Sequence, residues 1–256
     1  TPVVSAGPVR MRDQGQQDDP HLFRIGPHRL ANNLVLAPMA AEFVHLHVHS
    51  EFSMLDGAIR IPALVEHAAK MEMPAVALTD SGNMFGAVQL VRACESSGVQ
   101  PILGCEVNFT GGDRRDPQNK ELHHLLLLAA SQEGYQNLVR MVSTGWVDGM
   151  AAYDQPRIDF EVLDQHSKGV VGLSACMGGY VAQEILNKGP DVGREALVNL
   201  RECFEPGHFF VELQDHGFPE NRPLNQVLQS LATDLSLPMV ATNNCYYLER
   251  QSAHAQ

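Results

Sequence analysis

Basic residues are scarce in this chain: 18 lysines and arginines stand against 30 aspartates and glutamates, a formal net charge of −12 over 256 residues. A surface that grips duplex nucleic acid needs clustered cations to neutralise phosphates. That class is excluded, although a chain end held through metal ions is not. Cysteines are few, and Cys94, Cys105, Cys176, Cys203 and Cys245 never fall in C-x-x-C spacing. Neither a structural zinc knuckle nor a disulfide framework is expected. An odd number of cysteines without a secretory segment points to a reduced, cytoplasmic setting. No apolar run approaches the ~20 residues needed to cross a bilayer, so no membrane partner is expected. The lone tryptophan, Trp146, says nothing about base stacking. What remains is an ordinary globular composition, 44% hydrophobic, long enough for one large α/β domain or two small ones.

The most informative segment present is Phe43-Val-His-Leu-His-Val-His-Ser50, followed by Asp56-Gly57. Strict alternation predicts a β-strand, with Val44, Leu46 and Val48 on one face and His45, His47 and His49 on the other. Three imidazoles on one strand face are costly to bury unless their nitrogens are satisfied, and coordination of zinc, manganese or iron does this well. A polar, histidine-rich strand edge is the alternative.

Residues 1–20 are rich in Gly, Pro, Gln and Asp and predict a disordered leader. Because the chain starts at Thr1 rather than Met, it is not expected to begin at a native initiation site. Residues 22–40 resemble the opening of dihydrouridine synthases through an N-x-L-x-x-A-P-M-A segment that ends at Ala40. About nineteen residues cannot build a flavin site. A fusion remnant, or a plain extra strand, is the expectation for this stretch. The boundary is placed at 1–41 for the leader and 42–256 for the main domain.

From Phe43 onward strand and helix patterns alternate. Helices are predicted behind Pro62 (Ile61, Leu64, Val65, Ala68), around Met84–Cys94 and around Leu224–Leu235. Strands are predicted at 75–79, 100–107, 122–130, 169–173, 209–213 and 238–242. About seven βα units imply a parallel sheet and suit a closed β/α barrel. The carboxyl ends of barrel strands converge on one face, where active sites are built. His47, His49, Thr79-Asp80-Ser81, Glu106, His123-His124, Cys176 and Asn243-Asn244 all fall at or near such ends. That inventory suits a transition metal, and Glu106 can bridge two ions. Asp80 is expected to tie the barrel end together through backbone amides. His45 and His123 are expected to be non-ligands. His216 is expected in a turn at the pocket mouth, and Arg114 and Arg115 on a solvated loop.

The segments FVHLHVHSEFSMLDG (43–57), MPAVALTDSGNMFGAV (73–88), PILGCEV (101–107), GYQNLV (134–139), LSACMGG (173–179) and VATNNCYYL (240–248) closely resemble the PHP (polymerase and histidinol phosphatase) domain, in the branch at the N terminus of bacterial DNA polymerase III alpha subunits. The resemblance spans essentially 43–254, in order and at family spacing. It implies a distorted seven-stranded, TIM-like β/α barrel with up to three metal sites. The first would use His47, His49, Glu106 and Asn244, and the second Glu106, His124 and Cys176. The third would use Asp56, Ser81 and Tyr246.

Three of these positions depart from the family pattern. Ser81 stands where T-D-H-G-N-M has its histidine. Asn244 and Tyr246 replace the Asp and His of T-N-D-x-H-Y. Asn244 offers a neutral oxygen in place of a carboxylate, and Ser81 and Tyr246 are poor ligands unless deprotonated. Zero to two divalent ions are therefore expected, with the third site lost.

The resemblance implies a structural and partner-binding module of a replicative polymerase. Its partners would be the rest of the alpha subunit and a proofreading exonuclease subunit. Competing readings are a metal-dependent 3′–5′ exonuclease domain acting on DNA ends and a free-standing phosphoesterase. Nucleotidyl transfer is not expected, since no D-x-D carboxylate pair is present and there is no room for a polymerase palm. The family's sequence is expected to continue past Gln256.

Overall fold

The alternation of apolar strands and amphipathic helices builds a curled mixed sheet wrapped by helices. The structure, a computed structural model, describes residues 43–150 and 155–255. The leader expected over 1–41 and the resemblance carried by 22–40 lie outside the described residues.

In chain order the elements are β1 (His47–Val48), α1 (Ile61–Lys70), β2 (Ala75–Leu78), α2 (Ala87–Cys94), β3 (Gln100–Phe109), β4 (His123–Ala129), α3 (Gln132–Asp148), β5 (Arg157–Ile158) and α4 (Phe160–His166). There follow β6 (Val170–Leu173), α5 (Tyr180–Lys188), α6 (Pro190–Cys203), β7 (Phe209–Leu213), α7 (Asn221–Asp234), β8 (Met239–Ala241), β9 (Asn244–Cys245) and a short 3-10 helix (Arg250–Ala255). Among the described residues no helix is long and apolar enough to cross a membrane.

The main sheet runs β2-β3-β4-β6-β7-β8, with β5 paired to β3. β1 pairs with β9 and is tied to β2 by backbone hydrogen bonds from Ala77 to His45 and from Thr79 to Val48. The chain passes from β8 into β9, so the two sheets follow one curve and form a distorted barrel. Side chains of Val44, Leu46, Ala77, Leu126, Leu173 and Val240 fill its interior. A larger apolar layer, including Phe109, Leu125, Leu138, Leu197 and Val211, lies between sheet and helices.

One expectation is corrected. The sheet is not all parallel, because β4 runs antiparallel to both β3 and β6. A parallel neighbour needs a crossover, usually a helix. The β3–β4 connection, Gly111-Gly-Asp-Arg-Arg-Asp-Pro117, has turn formers and no apolar periodicity, so it folds directly back.

That loop is held from within, which overturns the solvated placement of Arg114. Arg114 is buried, donating to Asp159 at 3.0 and 3.1 Å and to Glu161 at 2.7 Å. Asp159 also caps α4 by accepting from Val162 N. Arg115 remains exposed, paired to Asp113 and Glu161.

Beneath the loop, the buried Arg157 donates to the carbonyls of Arg114, Asn119, Asp116 and Glu121. A fully buried carbonyl stripped of its donor costs ~1–3 kcal/mol, and only the Arg114 acceptor lies in a buried bond, the other three being partly solvated. Arg157→Met is therefore expected to destabilise the domain by ~1–3 kcal/mol in urea denaturation. A loss under ~1 kcal/mol would show that the loop does not depend on this guanidinium.

Candidate metal centre at the barrel end

The histidine-rich segment opening the domain contains a register break. Ala77 N donates to His45 O, while Thr79 N donates to Val48 O, both at 2.9 Å. Two residues on β2 thus face three on the first strand, a β-bulge between His45 and Val48. Before the bulge Val44 and Leu46 point into the barrel. After it Val48 packs outward with Ile61, Leu64 and Leu90, and His47 and His49 take the inward side. The expected row of three histidines on one face is corrected accordingly. His45 stands apart, beside the Phe43 ring and 3.5 Å from Cys245 Sγ. His47 and His49 are fully buried, with ring centroids 5.3 Å apart.

Glu106, on β3, occupies the centre of the cluster. Its Oε2 lies 2.8 Å from His47 Nε2 and 3.3 Å from His124 Nδ1, and its Oε1 lies 3.9 Å from His49 Nε2. Cys176 Sγ lies 3.4 Å from His124 Nδ1. The thiol is aimed there by Ala175, whose φ of 64° turns the chain after β6 in a left-handed step. His47, His49 and Glu106 form one group whose ligand atoms lie within 4.8 Å of one another, and Glu106, His124 and Cys176 form a second. The family resemblance implies two sites around the same shared Glu106, the first of them with Asn244 added.

Two buried atoms here make no hydrogen bond of ordinary length, His49 Nε2 and Asn244 Oδ1, and the Asn244 amide is close enough to act on the His49 ring. Native proteins rarely leave such atoms unsatisfied, and a cation satisfies both. The donor set of imidazoles, carboxylate, thiol and amide oxygen therefore fits a transition ion. Asn244 Nδ2 donates to the Tyr246 hydroxyl at 2.9 Å, which leaves its oxygen turned the other way.

The remaining positions behave differently. Asp56 is exposed and lies outside both groups. Ser81 Oγ and Ser53 Oγ hydrogen-bond His49 Nδ1 at 3.2 and 3.1 Å, so Ser81 orients a histidine. Tyr246 stacks on the His49 ring, centroids 4.4 Å apart and nearly parallel. Asp80 accepts from Ser50 N at 2.6 Å and from the hydroxyls of Ser50 and Ser53, tying the barrel end as expected. His123 lies on the opposite face of β4, against Tyr180. It forms a third group with Glu121 and Glu184, where Lys188 already pairs with Glu184 at 2.9 Å. His216 contacts Gln214 Oε1 at 3.1 Å and sits at the mouth near Asn244 N.

Sequence reasoning missed Glu212, Gln214 and Thr242. Glu212 Oε1 lies 3.0 Å from His47 Nδ1 and accepts from Gln214 Nε2 at 2.8 Å and from the Thr242 hydroxyl. The available signal was a lone carboxylate at an alternating position of an otherwise apolar strand, Phe209-Phe-Val-Glu-Leu213.

Burial alone would raise the Glu106 carboxyl, but hydrogen bonds from His124 and His47 hold it well below the usual carboxylate range. Burial would lower His47, yet Glu212 and Glu106 on either side lift it to about 10. His124 is likewise lifted against burial to about 10 by Cys176 and Glu106. His49 is pushed down to about 4, by burial first and then by the neighbouring imidazoles.

The sequence profile of the PHP domain matches residues 45–216. The chain is 40% identical over 221 residues to DNA polymerase III subunit alpha of Thermus aquaticus, covering 84% of this chain and 18% of that protein. It is 38% identical over 218 residues to the same subunit of Treponema pallidum (strain Nichols), covering 84% and 18%. The chain thus spans about a fifth of the length of these curated relatives. Among solved structures, an amidohydrolase from Chromobacterium violaceum aligns with a TM-score of 0.52 at 14% identity, over 79% of this chain and 87% of that one. A Bifidobacterium adolescentis protein assigned as a metal-dependent phosphoesterase aligns with a TM-score of 0.50 at 16% identity, over 80% and 87%. These two likenesses concern the fold.

The perturbed histidines set a pH dependence for the metal-free protein. His47 and His124 are raised, so the stability they contribute is complete below the unfolded value near ~6.5 and is lost as pH climbs through about 10. His49 is lowered, so its contribution is present above ~6.5 and is lost as pH falls toward about 4. With chelator present, the urea midpoint is expected to fall between pH 7 and 9. Saturating zinc is expected to reduce that fall, because the ion replaces the protons. A chelated midpoint that rises over this interval would contradict the assignment.

Proposed function

The chain belongs to the PHP domain family, and on that premise we propose that it is the N-terminal PHP module of a replicative DNA polymerase III alpha subunit, binding up to two divalent ions and hydrolysing no phosphoester of its own. Its working context is then the bacterial cytoplasm, joined to the rest of the alpha subunit, with a proofreading exonuclease subunit as a further partner. The identity to polymerase subunits over 84% of the chain supports the context. The state of the barrel end supports the lack of hydrolysis.

One observation carries the reading. The Glu106-centred groups are intact, while the third site implied by the family pattern is reduced to an exposed Asp56, a Ser81 occupied with His49 and a Tyr246 stacked on the same ring. Zinc, manganese or iron suits the mixed imidazole, carboxylate and thiolate set. When bound, paired ions activate water and neutralise charge on a phosphoester. The protein's own part is to hold His47, His49, Glu106, His124 and Cys176 in place. Asn244 supplies an oxygen without the negative charge that would tighten the first site. Exonuclease activity on DNA ends is the second reading, favoured only by the carboxylate shared between the two intact groups.

Protein purified without chelators is expected to carry one or two equivalents of zinc, manganese or iron by plasma mass spectrometry. Glu106→Gln is expected to lose them. Native protein is expected to release no nucleotides from single-stranded 3′ ends. Folded native protein with less than about a tenth of an equivalent would defeat the metal assignment. Nucleotide release that disappears in Glu106→Gln would instead establish the exonuclease reading. The triple variant Ser81→His, Asn244→Asp, Tyr246→His is expected to bind one ion more than the native chain.

A further inference from the structure

The two inward histidines of the first strand are held in different ways. His49 Nδ1 meets two neutral hydroxyls, Ser53 and Ser81. His47 Nδ1 meets the carboxylate of Glu212, a residue from β7 that is 1% exposed; Gln214 Nε2 also lies 3.2 Å from that nitrogen, but its two protons go to Glu212 Oε1 and the Thr242 hydroxyl at 2.8 and 3.1 Å. Two further groups grip that carboxylate: Gln214 Nε2 at 2.8 Å, from the residue after β7, and the hydroxyl of Thr242, from the segment after β8. Glu212 Oε2 has no hydrogen-bond partner. A charge buried this deeply costs stability unless it is paired, and its charge partner here is the far side of His47.

We propose that Glu212 is the positioning residue that fixes His47 as a metal ligand through Nε2, with Gln214 and Thr242 fixing Glu212 in turn. This rests on the reading that the Glu106 cluster binds a metal. The chemistry follows from imidazole tautomers. A carboxylate accepts and cannot donate, so it selects the form with the proton on Nδ1 and the lone pair on Nε2. Nε2 is the nitrogen that lies 2.8 Å from Glu106, inside the cluster. Acceptance by a carboxylate also makes Nε2 a more basic donor to an ion, and loss of such partners typically costs 10–100-fold in metal affinity. An amide at position 212 keeps the shape but can present its NH2 to Nδ1, which selects the opposite tautomer.

The test is the zinc dissociation constant, measured by competition with a chromogenic chelator for native protein, Glu212→Gln, Thr242→Val, His47→Ala and the double variant His47→Ala, Glu212→Gln. Glu212→Gln is expected to weaken zinc about 10–100-fold, and Thr242→Val to weaken it less, in the same direction. In the His47→Ala background Glu212→Gln is expected to have no further effect, because its action passes through that imidazole. A purely structural role would lower stability equally in both backgrounds and leave the affinity of the folded fraction unchanged.

Folded Glu212→Gln with an affinity within about twofold of native overturns the proposal, as does an undiminished effect in the His47→Ala background. Should Glu212→Gln lack native circular dichroism, Thr242→Val decides, and native affinity in that variant overturns it. Native protein that binds no zinc, manganese or iron fails the underlying metal reading. Native binding with an indifferent Glu212 fails this proposal alone.

Discussion

A single buried carboxylate organises the barrel end. Glu106 is 4% exposed and sits among three imidazoles, and a negative charge so enclosed is tolerable only with positive charge beside it. The protein offers two ways to provide it. Protons on His47 and His124 do so in the metal-free chain, and a divalent ion does so when bound. The two would compete for the same nitrogens, so a bound ion would couple to stability and pH in this one spot.

The rest of the fold keeps that competition local. Interior side chains below the cluster are apolar, so charge cannot spread into the barrel. Asp80 draws the Ser50–Ser53 turn onto the end of β2, and Glu212 braces His47 from the opposite side. The antiparallel β3–β4 pair sets Glu106 opposite Leu126 and brings His124 within reach two residues along β4. Glu106 thus meets side chains from the first strand, β4 and the turn after β6 without leaving its strand.

Much of this was legible in the sequence. Strand positions followed from short apolar runs between amphipathic helices, a broad inventory of candidate ligands from polar residues recurring at strand ends, and their grouping only from the family resemblance. The direction of β4 was missed because it depends on a loop lacking a helix, a negative signal in Gly111–Pro117. Arg114 was placed in solvent because its partners Asp159 and Glu161 are remote in sequence. Glu212, Gln214 and Thr242 were missed because a single acid in a strand has no spacing pattern. Only the convergence of β7, β8 and β1 gives it meaning.

The bulge in the first strand changes what its sequence can tolerate. A regular strand divides its residues into two faces by parity, and His45, His47 and His49 would then be equivalent. Here parity is broken once, between His45 and Val48, and two of the three histidines share the interior with the valine and leucine that precede them. The segment therefore depends on its register as well as on its composition. Pairing the same residues with β2 in unbroken alternation from His45 onward would remove the bulge. It would send His47 and His49 outward to the helix layer and turn Val48 toward Glu106, with every ligand type still present in the chain. A count of histidines would score such a strand as intact, whereas its geometry would set an apolar stopper beside Glu106.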